Sequence, residues 1–175
     1  MFGYYRTKTY IAADFDSDRD IVDLLCKWNN DNRYGLQFSN VHEMTNSRDT
    51  SLYCSIKKSL KSRMDISKTF ILIVGAKTNS VTKGACHCCP SYYKMFTTQS
   101  FCTRSGFNVI DNRSYIKYEC DMAIKAGIKI VVLYKSSIVN KYLCPDAIRD
   151  KGKHIPIYDA CKNVKYLDIK NAIMY

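Results

Sequence analysis

RSYIKYECDMAIKAGIKIVVLY, residues 113–134, joins a helical pattern to a strand pattern. In the first part of this segment, apolar side chains recur at the spacing of one helix face, and charged side chains gather on the opposite face. The second part, IKIVVLY at 128–134, is a continuous apolar run of the kind found in strands buried on both faces of a parallel sheet. A helix that leads directly into such a strand predicts an α/β fold.

One residue of this helix, Glu119, falls in the middle of the apolar arc. A carboxylate buried without a partner is costly, so Glu119 must be paired, hydrogen-bonded, protonated or open to a cleft. A bond to a neighbouring Lys or Tyr would make the residue purely structural. A position in a ligand cleft would make it a candidate catalytic residue.

The alternation of strands and helices extends towards the start of the chain. The spacing of Leu52, Ile56 and Leu60 predicts one helix, and the segment at 16–30 predicts another. Strands are predicted at 7–13, 34–38 and 69–78. We therefore expect a three-layer, flavodoxin-like fold, in which a central parallel sheet of order 2-1-3-4 carries helices on both faces.

The loop after the first strand is the first candidate binding site. In doubly wound sheets, ligands bind at the carboxyl ends of the strands where the strand order reverses, here between the first and third strands. Asp14, Phe15 and Asp16 follow the first strand and are expected to share a cleft with Glu119. Phe15 could stack on a ring of the ligand and Asp14 could bind a ribose hydroxyl, or the loop could simply cap the first helix.

Length and composition narrow the class of protein. The 175 residues are expected to form one domain, and no apolar run approaches the 18 or more residues that a membrane span needs. No signal-peptide pattern is present at the start, so we expect a cytoplasmic protein. The formal net charge is +11, but the basic residues are scattered, which argues against nucleic acid and fits a small anionic ligand such as a dinucleotide.

Two segments are added to the alternation of strands and helices. They are an insertion at about 75–112 and a C-terminal extension at about 135–175. The insertion contains GACHCCPSYYKMFTTQSFC at 84–102. A structural zinc ion could be held there by His87 and the cysteines Cys86, Cys88, Cys89 and Cys102. The ligands are more crowded than in paired C-x2-C sites, so reduced thiols, a local disulfide and a mobile flap over the cleft are the alternatives.

Four segments taken together resemble the TIR-like family found in bacterial Thoeris antiphage defence. They are KTYIAADFDSD at 8–18, VHEMTNSRD at 41–49, TFILIVGAKT at 69–78 and the opening segment at 113–134. The resemblance covers about residues 7–135 with the order of elements intact. CPDAIRDKGKHIPIY at 144–158 also looks like the tail of a subset of the family that carries a cysteine-containing insertion.

This resemblance implies an enzyme that cleaves the nicotinamide–ribose bond of NAD. Thoeris members release a cyclic or modified ADP-ribose as a diffusible second messenger for a separate effector. Glu119 matches the family's essential glutamate, on the helix that leads into the fourth strand. The family also places residues near the ligand or a partner subunit in the loop that here contains His42, Asn46 and Arg48.

Two readings stay open beside the enzymatic one. Tyr115, one turn before Glu119 on the same face, either shapes the pocket or fills the core. TIR folds also act as catalytically silent scaffolds that self-associate or bind a partner, because a fold alone does not decide function.

Overall fold

The computed structural model describes residues 6–36, 38–40, 52–94, 100–102 and 110–175. The first half of the chain forms β1 (Lys8–Ala12), α1 (Arg19–Asn30), β2 (Ser39–Asn40), α2 (Tyr53–Asp65) and β3 (Ser67–Val74). The second half forms β4 (Tyr92–Lys94), β5 (Ser100–Cys102), α3 (Tyr115–Ala126), β6 (Lys129–Tyr134), β7 (Lys153–Pro156) and α4 (Tyr166–Met174). No helix within these ranges has both the length and the apolar character that crossing a membrane requires.

Five of the strands form one parallel sheet in the order β2-β1-β3-β6-β7. The predicted three-layer α/β architecture with a central parallel sheet is therefore confirmed. Counted along this sheet, the strand order is 2-1-3-4-5, which is the order seen in flavodoxin-like sheets. The order reverses between β1 and β3, as the sequence predicted. The fifth strand, β7, comes from the C-terminal segment.

The strands separate two apolar cores by the alternation of their side chains. On one face, Tyr10 of β1 and Phe70 of β3 pack beneath α2 and α3. On the other face, Ile11 and Ile71 pack beneath α1 and α4. Neighbouring residues of a strand point to opposite faces, so each inner strand contributes to both cores, which explains its unbroken apolar sequence.

Two predicted strands differ from the structure at their ends. The second strand, predicted at 34–38, lies instead at Ser39–Asn40, because Gly35 adopts a left-handed φ of 59° that turns the chain. Leu36 is buried, so its apolar side chain fills the core from a loop. The third strand ends at Val74 rather than at 78, because the Gly75 N–H donates to Thr78 Oγ1 at 2.8 Å in a turn.

The insertion between β3 and α3 is tied to the start of α3 by backbone bonds. The Tyr115 N–H donates to the Lys83 carbonyl at 2.9 Å, and the Cys86 N–H donates to the Asp111 carbonyl at 3.1 Å. Within the insertion, β4 and β5 form an antiparallel hairpin that the sequence did not predict. These contacts fix the first part of the insertion against the helix that carries Glu119.

Candidate functional site

Glu119 lies on the face of α3 that packs on the sheet, and it is buried, with 6% of its surface exposed. The Tyr10 hydroxyl, from the middle of β1, donates a hydrogen bond to Glu119 Oε1 at 2.5 Å. Ser114 caps α3 by accepting from the Lys117 N–H, and this sets where the helix begins. The carboxyl group is thus held in the core between α3 and β1, and it is hydrogen-bonded as the sequence required.

Burial changes the acid–base chemistry of this pair. Desolvation raises the pKa of Glu119 to about 7, against the opposing effects of the Tyr10 hydrogen bond and the positive charge of Arg63. Burial, together with the charge of Glu119, also raises the pKa of the Tyr10 phenol well above its ordinary value. The Glu119 carboxyl therefore gains or loses its proton near neutral pH, while the phenol keeps its proton and can donate.

A cluster of charges holds the start of α3. Lys57 of α2 is 4% exposed and donates to the carbonyls of Asp111 and Arg113 at 2.8 and 2.7 Å. Arg113 pairs with both Asp111 and Asp121, at 2.6 and 2.5 Å. Burial alone would raise the pKa of Asp111, but its bonds from Arg113 hold that pKa down to about 2. Asp111 therefore stays ionised and keeps the segment before α3 in place.

Sequence reasoning missed Lys57, although the pattern contained a signal. Lys57, Leu60 and Met64 are the buried residues of α2, and they recur at the spacing of one helix face. A lysine at such a position needs partners that offset the loss of water. Burial lowers the pKa of its ammonium, and Asp111 opposes that effect.

The predicted loop residues lie at the carboxyl end of β1. Asp14 accepts hydrogen bonds from the Ser17 hydroxyl at 2.6 Å and from the Asp16 N–H at 3.4 Å, so its carboxylate shapes the turn. The exposed Asp16 carboxylate pairs with Lys83 at 3.4 Å. Phe15 is 47% exposed, which leaves its ring accessible at the tip of the loop.

Asp18, which follows this loop, was not predicted as a site residue but occupies the point where the strand order reverses. It is 2% exposed and takes the N-cap position of α1 without a side-chain capping bond. Among the described residues its Oδ2 atom has no hydrogen-bond partner, while Oδ1 lies 3.7 Å from Lys135 Nζ. Burial raises the pKa of Asp18, and the Lys135 charge opposes the rise. Asp18 is the second buried carboxyl near the predicted site.

Tyr115 lies one turn before Glu119 and packs beneath the insertion. Its ring meets Tyr53 edge-on at a centroid distance of 5.8 Å, and it fills the space beside the backbone of Gly84. The Tyr115 hydroxyl is buried, with no hydrogen-bond partner in the part of the chain that the structure describes. Burial raises the pKa of this phenol. The residue covers the start of α3 rather than lining an open cleft.

No protein-family model matches this chain, and no curated protein is similar to it.

The two cavities described lie away from the predicted cleft. The larger, about 560 Å³, is an open groove at the opposite end of β1, lined by residues that include Thr7, Asn29 and Ser39. The smaller, about 10 Å³, lies between α2 and the insertion. Neither is lined by Asp14 or Glu119. The burial of Glu119 shows directly that its carboxyl group is enclosed in the described arrangement.

Three other predicted site residues, His42, Asn46 and Arg48, lie outside the described residues. The predicted zinc ligands are only partly brought together. Cys86, Cys89 and Cys102 line the smaller cavity, whereas Cys88 is exposed and does not. Across the described ranges, no three Cys, His, Asp or Glu side chains already form a group that could hold a metal ion.

Proposed function

We propose that this chain is a cytoplasmic TIR-like enzyme that cleaves the nicotinamide–ribose bond of NAD, with Glu119 as its catalytic residue. The observation that carries the proposal is the buried Glu119 carboxyl, whose pKa is raised to about 7 beside the Tyr10 hydroxyl. Carboxyl groups whose pKa is raised by burial are enriched at functional sites. The resemblance to Thoeris proteins supplies the substrate class, and the net charge of +11 favours an anionic dinucleotide.

The chemistry requires one carboxylate and no second acid. As the bond breaks, its electron pair leaves with nicotinamide, which departs as a neutral molecule, and positive charge develops at the ribose C1′ atom. An ionised Glu119 opposes that charge, and the attraction is stronger in a dry site than in water. Capture of C1′ by water gives ADP-ribose, whereas capture by another atom of the nucleotide gives a cyclic product. Such a product would act as a diffusible messenger for a separate effector.

Access to Glu119 requires a change at the carboxyl end of the sheet. Tyr115 and the backbone around Gly84 cover the start of α3 in the described arrangement. Asp14 and Phe15 lie at the end of β1, where a ribose hydroxyl and a ring of NAD would bind. We place the substrate between this loop and α3 once the insertion moves away from Tyr115, and self-association is one way to drive that movement.

A catalytically silent scaffold is the second candidate, and the enclosure of Glu119 favours it. A carboxyl group that is 6% exposed and bonded to Tyr10 satisfies a purely structural role. On this reading Glu119 joins α3 to β1, and the surface of the domain binds a partner.

The substitution Glu119→Gln separates the two candidates. It removes the charge but keeps an acceptor for the Tyr10 hydroxyl, so the fold is retained. If Glu119 stabilises charge at C1′, NAD turnover falls by about a hundredfold or more, while NAD affinity changes far less. Turnover is measured by mass spectrometry of the products formed from NAD, and affinity by calorimetry. Asp121→Asn is the matched control, because it removes a carboxylate from the same helix and leaves Arg113 paired with Asp111.

The outcomes are distinct. Loss of turnover in Glu119→Gln, with turnover retained in Asp121→Asn, supports catalysis. Wild-type turnover in the Glu119→Gln protein overturns the catalytic assignment. Wild-type protein that neither binds NAD nor converts it under conditions where it self-associates favours the scaffold.

A further inference from the structure

Four cysteines from three separate parts of the chain line one small cavity. Cys54 comes from the first turn of α2, Cys86 and Cys89 from the tight turn that opens the insertion, and Cys102 from β5. Together with Leu52, Tyr53 and Tyr92 they enclose about 10 Å³. That volume holds about one water-sized body. None of the nine cysteines forms a disulfide, so these four are present as thiols.

The backbone brings three of these cysteines together. The Cys89 N–H donates to the Cys86 carbonyl at 2.9 Å, closing a tight turn that puts positions three apart on one side. The Tyr92 N–H then donates to the Cys89 carbonyl at 2.9 Å, and Tyr92 pairs with Cys102 across the hairpin. A C-x2-C turn followed by a hairpin that returns a third cysteine is a common way to build a structural zinc site.

The Cys86 sulfur is held beside the start of α3. Its sulfur accepts a hydrogen bond from the Asp111 N–H at 3.3 Å. The Lys57 ammonium interacts electrostatically with Cys86 and is fixed by the carbonyls of Asp111 and Arg113. Lys57 therefore holds the backbone of Asp111, whose N–H donates to the Cys86 sulfur, in addition to holding the start of α3.

We infer that Cys54, Cys86, Cys89 and Cys102 bind a structural zinc ion that fastens the insertion to α2. Zinc displaces four thiol protons to solvent and forms four Zn–S bonds without any change of oxidation state. The resulting site carries a net charge of −2, which Lys57 partly offsets. The set differs from the one predicted from sequence, since it includes Cys54 and leaves out the exposed His87 and Cys88. This inference concerns a different site from Glu119, and its test by metal analysis does not depend on NAD turnover.

Binding requires the sulfurs to draw together. Zn–S bonds of about 2.3 Å in a tetrahedron put the sulfurs about 3.8 Å apart. The described side chains do not yet form such a group. Rotation of a cysteine by one step about its Cα–Cβ bond moves the sulfur by about 3 Å, and all four side chains already border the same space. On this inference, zinc binding draws the four sulfurs together through such rotations.

Metal analysis of the full chain, purified under reducing conditions with zinc present, tests the inference. We expect about one zinc ion per chain. Cys54→Ser should lower the zinc content several-fold, whereas Cys88→Ser should keep it, although Cys88 lies in the same turn. Replacement of zinc by Co²⁺ should give the strong visible absorption of a tetrahedral thiolate site. These are the expected results.

A second measurement on the wild-type chain covers the case in which Cys54→Ser fails to fold. Alkylation mapped by mass spectrometry should show Cys54, Cys86, Cys89 and Cys102 protected together and exposed together when a chelator is added. Exposed Cys88 and Cys161 should be labelled without the chelator. A chain isolated without zinc, a disulfide among the four cysteines, or zinc lost in Cys88→Ser and retained in Cys54→Ser would overturn the inference.

Discussion

The hydrogen bond from Tyr10 to Glu119 links residues 109 positions apart in the chain. It gives the buried carboxyl a partner but leaves its pKa at about 7, because desolvation outweighs the hydrogen bond. A group with an ordinary pKa of 4.5 therefore keeps its proton in the folded chain over a pH range in which the unfolded chain has released it. The protonation of Glu119 therefore makes the stability of the protein depend on pH.

The sign of that dependence follows from proton binding. Below pH 4.5 both states hold the Glu119 proton, and its contribution to stability is fully present. Between pH 4.5 and about 7 only the folded state holds it, so the free energy of unfolding falls as pH rises, by about 3 kcal/mol in all. Glu119→Gln has no proton to lose. In urea unfolding over this pH range, the free energy of unfolding of the Glu119→Gln chain should rise relative to that of the wild type up to about pH 7.

The Asp121→Asn chain provides the comparison, since it lacks a carboxylate of the same helix at a partly exposed position. It should keep the wild-type fall in stability between pH 4.5 and 7. Equal pH slopes for wild type and Glu119→Gln would show that the Glu119 pKa is not raised in the folded chain.

For single residues, the sequence predicted that Glu119 lies among apolar side chains but not which residue bonds to it. The helical pattern put Glu119 among apolar residues and required it to be bonded, protonated or open to a cleft. Tyr10 could not be chosen as the partner, because fourteen tyrosines are available and the pairing depends on how α3 packs across β1. Asp18 was likewise hidden, since its burial and the packing of Gly75 against it, which distinguish it from the other acids of its loop, arise only in the folded chain.

Among the elements, the start of α1 and the turn after β3 meet through Asp18 and Gly75. A Cβ atom added at Gly75 would lie 2.2 Å from Asp18 Oδ1. Gly75→Ala must therefore displace the Asp18 carboxylate from between the two elements. We expect a loss of about 1–3 kcal/mol in the free energy of unfolding, which is the usual cost of overfilling a packed site. Denaturant unfolding measures it.

A double-mutant cycle identifies the cause. Adding Asp18→Ala to Gly75→Ala should recover part of the loss, because the clash is gone. Gly127→Ala is the matched control. Its φ is 61° and nothing lies within 4 Å of the added atom, so it should cost about 1 kcal/mol from backbone strain alone. Adding Asp18→Ala to Gly127→Ala should give purely additive losses. Additivity in the Gly75 pair would show that no clash with Asp18 occurs.

The long elements were predictable and the short ones were not. Strong periodicity and unbroken apolar runs located α1, α2, α3, β3 and β6 within a few residues. β2 has two residues, and β4 and β5 have three each, so their strand character comes from the partners they bond to rather than from their own sequence. The same holds for the cysteines, since Cys54 joins the insertion only through the packing of α2.

For the whole molecule, the C-terminal segment completes both the sheet and one of the cores. β7 pairs with β6, and Ile155, Ile169 and Ile173 are buried on the face that also contains Val131. Removing residues 151–175 would expose one edge of β6 and this apolar surface. We expect the shortened chain to lose its cooperative thermal transition and to precipitate. Deletion of Tyr175 alone, which is 90% exposed, should leave the melting temperature unchanged.

A shortened chain that stays in solution and melts cooperatively at the wild-type temperature would show that four strands suffice.

The architecture as a whole was predicted from the order of strands and helices, because parallel neighbours need crossover helices and those connections have a fixed hand. The fifth strand was not predicted as part of the sheet. KHIP is short and contains a proline, which a strand tolerates at an edge, so its local pattern resembled an irregular extended segment.

The position of β7 in the chain also determines when the edge of β6 is covered during synthesis on the ribosome. β6 ends at Tyr134 and its outer neighbour begins at Lys153, so the ribosome adds the eighteen residues 135–152 between them. At the usual pace of translation this interval lasts roughly 1–4 s. Because the strands leave the ribosome in chain order, β6 can pair with β3 before β7 emerges, and the far edge of β6 stays open to other chains until then. Slower decoding while residues 135–152 leave the ribosome would lengthen this exposure, so it should lower the fraction of the protein that escapes aggregation in the cell.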